Sequence, residues 1–187
     1  MFLKIGITRP EFLDPEKEAR MIAGYLDSGE LDIVHLRKIP GLYRDFESLI
    51  KAIPTRLHPK LRIHSHFSLV NRFELDGIHL NSRWPDAVPQ ARTVSRSCHS
   101  LQEIEDLEAA IKSGKDTLPY AYVTLSPIFD SISKQGYMSK FDLGTLHLPD
   151  TRLKIIALGG VTPDRFAELK DAGFAGAAML GNLWKEK

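Results

Sequence analysis

A glycine-rich segment near the carboxyl end of the sequence has the residue order of a phosphate-binding turn. Residues 154–181 read KIIALGGVTPDRFAELKDAGFAGAAMLG, in which one apolar run ends at Gly159-Gly160, a helical pattern follows, and a second apolar run ends at Leu180-Gly181. Glycine lets the backbone come close to a ligand, and unpaired N–H groups at such a turn attract anions. The segment therefore predicts a phosphate cup, with an unliganded glycine turn as the alternative.

A basic pair follows the second apolar run of the chain, because Arg37 ends that run and Lys38 comes next. A guanidinium and an ammonium at a strand end are suited to a phosphate or a carboxylate, and a solvated pair is the alternative. Ser97 lies near the end of another run, where its hydroxyl can donate to a phosphate oxygen or cap the helix that begins near Ser100.

A long polar loop contributes further anion-binding side chains. Residues 126–136 read SPIFDSISKQG and contain Ser131, Ser133 and Lys134. Hydroxyls and an ammonium on a loop that can close are suited to surround a polyanion, so these three residues are candidate phosphate ligands. A loop without a ligand is the alternative.

The histidines raise the possibility of a metal site. His64 and His66 alternate along a predicted strand, so they share a face and could hold one metal ion together, and His79 lies in the next strand. A zinc-dependent barrel hydrolase would also need a carboxylate and further histidines at later strand ends. Residues 179–182 read MLGN and the sixth run ends at Ser126, so no metal ligand is predicted.

The apolar runs alternate with helical patterns along the whole chain. Eight runs predict strands at 3–8, 33–37, 61–65, 77–80, 94–98, 122–126, 154–158 and 176–180. Helical spacing marks 15–26 after an Asp14 cap, 43–53, 101–111 after a Ser100 cap, and 163–170. Eight such units predict an α/β fold, a (β/α)8 TIM barrel with shortened helices and a truncated last helix; an open doubly wound sheet is the alternative.

Composition narrows the classes of function. The 187 residues predict one domain, residues 1–187. Lys and Arg number 25 against 24 Asp and Glu, so a net charge of +1 argues against a nucleic-acid surface. Neither a signal peptide nor a membrane-spanning stretch is recognisable, which predicts a cytoplasmic protein. The single cysteine, Cys98, is expected to be a buried and inert thiol.

Several motifs, in order, resemble the thiamine-phosphate synthase and TenI superfamily of (β/α)8 barrels. The matching segments are HLRK at 35–38 for QLREK, DGIHL at 76–80 for DGVHL, SRSCHSLQE at 95–103 for the GxSxH element, SPIFDSISK at 126–134 for GPIFxTxTK, and ALGGVTPD at 157–164 for AIGGI. Together they cover nearly the whole chain.

The resemblance implies a reaction and a set of contacts. Synthases of this family join an aminopyrimidine methyl diphosphate to a thiazole phosphate and release pyrophosphate, with Mg²⁺ as cofactor. By resemblance, the pyrophosphate ligands are Arg37, Ser97 and Lys134, of which Arg37 and Lys134 are the catalytic candidates. The thiazole-phosphate ligands are Ser131, Ser133 and the backbone of Gly159, Gly160, Leu180 and Gly181.

The chain departs from the synthase pattern at its metal ligands. His64-Ser65 stands where the synthases carry Asn-Asp, and Trp84 stands at the second magnesium aspartate, with Asp86 displaced from it. Hard cations such as Mg²⁺ prefer charged oxygen ligands, so these magnesium ligands are missing. Lys38 directly follows Arg37, one position earlier than the lysine of the motif.

The TenI branch of the family offers the alternative reading. Some of its members isomerise the thiazole phosphate with a histidine at the end of strand six, where this chain has Pro127. His64, His66 or His99 could act as acid or base instead, and His64 is the catalytic candidate. A non-catalytic phosphate-binding or regulatory protein is the third possibility. A short carboxyl end that leaves apolar barrel surface uncovered would favour a homodimer.

Overall fold

Eight parallel strands close into a barrel in the computed structural model, which describes residues 1–86, 91–130, 138–139, 141–181 and 183–184. Neighbouring strands pair in chain order, and the last strand pairs with the first through registers such as Leu3 with Gly176. The predicted (β/α)8 barrel is therefore confirmed, and the open doubly wound sheet is excluded.

The strands lie where the apolar runs predicted them, with boundaries that differ by at most two residues. They are β1 (Leu3–Ile7), β2 (Ile33–Leu36), β3 (Leu61–Ile63), β4 (Gly77–Leu80), β5 (Val94–Cys98), β6 (Tyr120–Leu125), β7 (Ile155–Leu158) and β8 (Gly176–Met179). Runs of apolar residues suffice to locate them because parallel barrel strands are covered on both faces.

The helices are uneven in length. They are α1 (Pro15–Asp27), α2 (Tyr43–Ala52), α3 (Leu69–Phe73), α4 (Leu101–Lys112) and α5 (Phe166–Asp171), with 3₁₀ turns at Thr55–Lys60 and Pro163–Arg165. The predicted caps are present: the side chain of Asp14 accepts from the Lys17 N–H, and that of Ser100 accepts from the Glu103 N–H. Among the described residues, no helix lies between β4 and β5, between β6 and β7, or after β8.

The described residues after β8 pack against β1 and α1. Trp184 is buried, its indole N–H donates to the Ile7 carbonyl at 2.5 Å, and its ring meets Tyr25 edge to face. In the part of the chain that the structure describes, no helix is long and apolar enough to cross a membrane. Cys98 is buried, and burial raises the pKa of its thiol to about 11, which confirms the expected inert thiol.

The inside of the barrel is divided into an apolar half and a polar half. An apolar cluster fills the side formed by β1, β6, β7 and β8; its buried members are Ile5, Ile7, Tyr122, Ile156 and Ala178. The strands β2 to β5 instead bury polar side chains, namely His35, Arg62, His79 and Ser95. Buried polar groups need hydrogen-bond partners, so the polar half must form a network.

Arg62 anchors that network near the amino ends of the strands. Its guanidinium donates to Asp76 at 2.9 Å and to the hydroxyl of Thr93 at 2.5 Å. The guanidinium carbon also lies 4.5 Å from the centre of the Tyr122 ring, which belongs to the apolar half. One cation thus joins the two halves of the interior.

Lys38 forms a buried ion pair. Its side chain is buried, and its ammonium donates to the carboxylate of Glu18 on α1 and to the Glu11 carbonyl at 2.7 Å. Lys38 and the preceding Arg37 both contribute to the wall of the barrel opening, but among the described residues only Lys38 has a carboxylate partner. A phosphate contact of Lys38 would therefore compete with this ion pair.

Removing one partner of this ion pair should destabilise the fold. We expect Lys38→Met to lower the free energy of unfolding by about 3–5 kcal/mol, because Glu18 would remain buried without a counter-charge. The double variant Lys38→Met/Glu18→Leu should recover most of that loss. Urea unfolding monitored by circular dichroism measures both values.

Lys51 supplies the matched control, since its ammonium pairs with Glu47 while its side chain is 58% exposed. Lys51→Met should change the free energy of unfolding by less than about 1 kcal/mol. A Lys38→Met protein that is as stable as wild type but binds phosphate more weakly would show that Lys38 acts through phosphate binding and not through the ion pair.

Candidate functional site

A cavity of about 670 Å³ opens at the carboxyl ends of the strands, where (β/α)8 barrels carry their active sites. Its walls come from the ends of β2, β3, β4, β5, β6, β7 and β8 and from the segments that follow them. The polar lining residues are Arg37, Lys38, His64, Ser65, His66, His79, Asn81, Ser82, Arg83, Ser97, His99, Thr124 and Ser126. No Asp or Glu is present among the described residues of this lining.

Arg37 is a cation without a counter-charge. Its guanidinium is half-buried in the cavity wall, and within the described ranges no carboxylate pairs with it. Burial lowers its pKa, and so does the neighbouring charge of Arg83. An arginine stays protonated at neutral pH even so, which leaves two positive charges at one opening with no carboxylate partner among the described residues. An anion bound between them would relieve both.

The glycine pair closes the opposite wall of the cavity. Gly159 and Gly160 have φ angles of 97° and 62°, which residues other than glycine rarely adopt. A Cβ at Gly160 would lie 2.3 Å from the Asp130 carbonyl, so the turn is packed tightly against the segment that follows β6. Leu180 and Gly181 line the cavity beside it, as the sequence predicted.

The helix behind this turn is short. Thr162 lies at the N-cap position and Pro163 in the first turn, but the Thr162 side chain makes no capping hydrogen bond. A three-residue 3₁₀ turn and the six-residue α5 follow. The backbone of the glycine pair, more than a helix end, is therefore what this wall presents to the cavity.

Three histidines from three strands meet in the floor of the cavity. Nδ1 of His35 lies 2.9 Å from Nε2 of His64, and the rings of His64 and His79 stack with centres 4.3 Å apart. Nε2 of His35 lies 2.6 Å from the Tyr122 hydroxyl across the barrel. The ring nitrogens of His79 lie 2.8 Å from the hydroxyls of Ser95 and Ser97. The three histidines could hold a metal ion, as each offers one ring nitrogen within 4.8 Å of the others.

Burial keeps these imidazoles neutral. It lowers the pKa of His79 to about 3, with a further contribution from Arg62 and Arg37, and lowers the pKa of His35 and His64 well below its usual range. Desolvation disfavours the charged form of an imidazole, so the cluster carries no net charge at neutral pH.

The shared strand face expected for His64 and His66 is wrong. Strand β3 ends at Ile63, and His66 has a φ of 52°, so the two residues no longer alternate on one strand face. The ring of His66 reaches the Gly41 carbonyl at 2.9 Å and packs against Phe46, while His64 turns into the barrel.

Ser97 and His99 both line the cavity at the end of β5. The hydroxyl of Ser97 bonds to His79, and Ser100, not Ser97, caps the helix. Nδ1 of His99 lies 3.2 Å from both oxygens of Ser126 at the end of β6. The predicted ligands Ser131, Ser133 and Lys134 lie outside the described residues.

The cavity does not fit Mg²⁺. The positions of the two magnesium aspartates of the resembling synthases hold Ser65 and Trp84, and both line the cavity. Trp84 is 48% exposed, and the displaced Asp86 is absent from the lining. Mg²⁺ prefers carboxylate, phosphate and water oxygens in octahedral geometry, which a hydroxyl and an indole cannot replace.

Sequence reasoning missed two contributors to the site. His35 lies in the middle of a short apolar run, and only its alternation with Arg37 marks it as facing the same side. Arg83 lies in a segment after β4 that lacks a periodic pattern. Its position on the strand-end side of the barrel was the available signal.

Comparisons with known proteins agree with this geometry. The chain is 28% identical to the thiamine-phosphate synthase of Vibrio parahaemolyticus over 162 residues, which cover 83% of this chain and 78% of that protein. It is 26% identical to the thiamine-phosphate synthase of Latilactobacillus sakei over 76% of this chain, but spans only 64% of that protein, less than two thirds of its length.

Solved structures give the same result. A crystal structure of thiamine phosphate pyrophosphorylase from Bacteroides thetaiotaomicron superposes with a TM-score of 0.73 at 33% identity, covering 98% of this chain and 85% of that one. A thiamine phosphate pyrophosphorylase from Pyrococcus furiosus, at 16% identity and a TM-score of 0.63, shares the fold. The family model described as thiamine monophosphate synthase matches residues 5–183. The motifs, the closed barrel and this match place the chain in the thiamine monophosphate synthase family.

Proposed function

We propose that this chain binds a thiazole phosphate in the strand-end cavity and couples it to an aminopyrimidine methyl diphosphate, with release of pyrophosphate. The observation that carries this proposal is the half-buried guanidinium of Arg37, which has no carboxylate partner among the described residues and faces a cavity without acidic lining there. Membership of the thiamine monophosphate synthase family supports the reaction class.

The cavity offers two separate regions for the two phosphorylated groups. Gly159, Gly160, Leu180 and Gly181 present backbone at the β7 and β8 ends, which suits the monophosphate of the thiazole. Arg37 lies at the β2 end, where its guanidinium can hold two oxygens of a diphosphate at once. The two substrates would therefore meet over the floor of the cavity.

In the transfer, the bond between the pyrimidine methylene carbon and the diphosphate oxygen breaks, and the thiazole nitrogen forms the new bond to that carbon. Negative charge grows on the departing pyrophosphate, so Arg37 stabilises the transition state more than the bound substrate. Arg83 adds a second positive charge nearby. Since the lining does not fit Mg²⁺, these cations would carry the charge stabilisation that the resembling synthases share with the metal.

Replacement of Arg37 tests the diphosphate half of the site. We expect Arg37→Met to weaken pyrophosphate binding about 10- to 100-fold, the contribution of one charged hydrogen-bonded contact, while thiazole phosphate binding changes little. Titration calorimetry of wild type and variant, with and without Mg²⁺, measures this. Addition of Mg²⁺ should leave the wild-type affinity nearly unchanged.

The control is Arg44→Met, because the guanidinium of Arg44 is 82% exposed on α2. Its affinities should equal those of wild type. Formation of thiamine phosphate from both substrates tests the transfer itself. If neither phosphorylated substrate binds, the proposed function is rejected. If thiazole phosphate binds but no transfer occurs, the second candidate remains.

The second candidate is isomerisation of a thiazole phosphate with His99 as the acid or base. It is favoured by the position of His99, whose Nδ1 lies 3.2 Å from Ser126, next to the Pro127 position at which isomerases of the family carry their histidine. His99 is also exposed to the cavity, unlike His35 in the barrel interior.

We expect His99→Gln to lower an isomerase turnover at least about 100-fold, the usual contribution of acid–base catalysis, with little change in thiazole phosphate affinity. Turnover followed by NMR of the thiazole protons, together with calorimetry, separates the two effects. An isomerase turnover of His99→Gln equal to that of wild type would reject this candidate.

A further inference from the structure

Three ring nitrogens converge in the floor of the cavity without a carboxylate. His35 of β2, His64 after β3 and His79 of β4 each supply one nitrogen, and these atoms lie within 4.8 Å of one another. The barrel itself holds them together, since they come from consecutive strands. We propose that these histidines form a site for a borderline divalent transition metal such as Zn²⁺, with a fourth coordination position open to the cavity.

The closest pair already has nearly the ligand spacing of such a site. Nδ1 of His35 and Nε2 of His64 face each other at 2.9 Å, so one proton lies between them. Two imidazole ligands of a tetrahedral Zn²⁺ ion, with bonds of about 2.0–2.1 Å, stand about 3.3 Å apart. A metal ion could therefore replace the shared proton if the two nitrogens separated by about half an ångström and both rings turned, so that their lone pairs point at the ion and no longer at each other.

His35 stays neutral when it binds the ion, because its proton can be carried by its other ring nitrogen. When Nδ1 of His35 faces the metal, its Nε2 carries the hydrogen and donates to the Tyr122 hydroxyl, 2.6 Å away. His79 is bonded at one nitrogen to Ser95 and at the other to Ser97, so either can become the ligand while the other stays fixed. Hydrogen-bonded outer nitrogens of this kind orient the histidine ligands of metal sites.

The donor set selects the class of metal. Three neutral imidazoles suit Zn²⁺, Co²⁺, Ni²⁺ or Cu²⁺, whereas Mg²⁺ and Ca²⁺ prefer oxygen. His64 and His79 line the cavity, so the ion can enter and a water or phosphate oxygen can reach it. The charge of Arg62 is offset by Asp76, but that of Arg37 is not, so an anion is favoured at the open position.

The sequence supports the site independently. His35 and His64 occupy the positions at which the motifs quoted above have Gln and Asn, and only His79 belongs to the shared DGVHL motif. Two separate departures from the family pattern thus bring imidazoles to the same point. The inference does not depend on the transfer reaction, because it concerns only the binding of a metal to the protein.

Titration with Co²⁺ tests the site on the whole protein after chelator treatment and dialysis. We expect one equivalent to bind and to produce the intense visible absorption of four-coordinate Co²⁺ with nitrogen ligands, and we expect Zn²⁺ to abolish it by competition. Inorganic phosphate should shift the band, because it would enter the open position. Neither measurement uses the substrates of the proposed function.

Three variants locate the ion. His35→Gln and His64→Asn restore the residues of the motifs and keep polar groups in the floor, and each should weaken Co²⁺ binding at least about 30-fold by removing one of three ligands. His66→Gln is the matched control, a cavity histidine bonded to the Gly41 carbonyl, and should bind as wild type does. Circular dichroism checks that each variant is folded.

Weak or substoichiometric Co²⁺ binding by wild type would overturn the proposal, as would equal affinity in His35→Gln or His64→Asn. Loss in His66→Gln alone would place the ion elsewhere. Imidazole ¹⁵N NMR of the wild type keeps the test valid if a variant fails to fold: Zn²⁺ should move the signals of three of the seven histidines. Metal binding without transfer would reject the proposed function alone, and transfer without metal binding would reject this site alone.

Discussion

The need to satisfy buried polar groups inside a barrel governs the arrangement of this protein. Strands β2 to β5 bury a guanidinium, imidazoles and hydroxyls in the barrel interior, where an unpaired polar group costs about 1–3 kcal/mol. Most of these groups have a partner from another part of the barrel: Arg62 pairs with Asp76 just before β4, His35 with Tyr122 of β6, and His79 with two serines of β5. One guanidinium nitrogen of Arg62 and the hydroxyl of Thr124 have no partner among the described residues. Because the partners come from different parts of the chain, this network also fixes the floor of the cavity.

The division of the interior places the two proposed binding regions over different surroundings. The apolar half, with Ile156 and Ala178, lies beneath the glycine wall, where the proposed phosphate cup would need only backbone. The polar half lies beneath Arg37, where the proposed transfer would need stabilisation of charge. The family's reaction requires both halves, and it is the polar half in which this chain has replaced carboxylates by Ser65 and Trp84 and added two histidines.

The fold was predictable because its signals are local. Apolar runs marked all eight strands, and Asp14 and Ser100 marked helix starts by hydrogen bonds that span three residues. The shared strand face expected for His64 and His66 was wrong for the opposite reason. Alternation of His64 and His66 assumed that the strand continued, whereas β3 ended at Ile63 and the backbone at His66 took a left-handed conformation.

Sequence alone determined the barrel, the glycine turn and the family, because strand periodicity, turn residues and motifs are all properties of short segments. Only the tertiary structure separated the two cations of the basic pair. Arg37 and Lys38 are neighbours with the same charge and both reach the cavity wall, yet among the described residues Lys38 is neutralised by the buried Glu18 and Arg37 has no carboxylate partner. The same holds for His35 and His64, which are 29 residues apart in the chain and are brought together by the closure of the strands around a common interior.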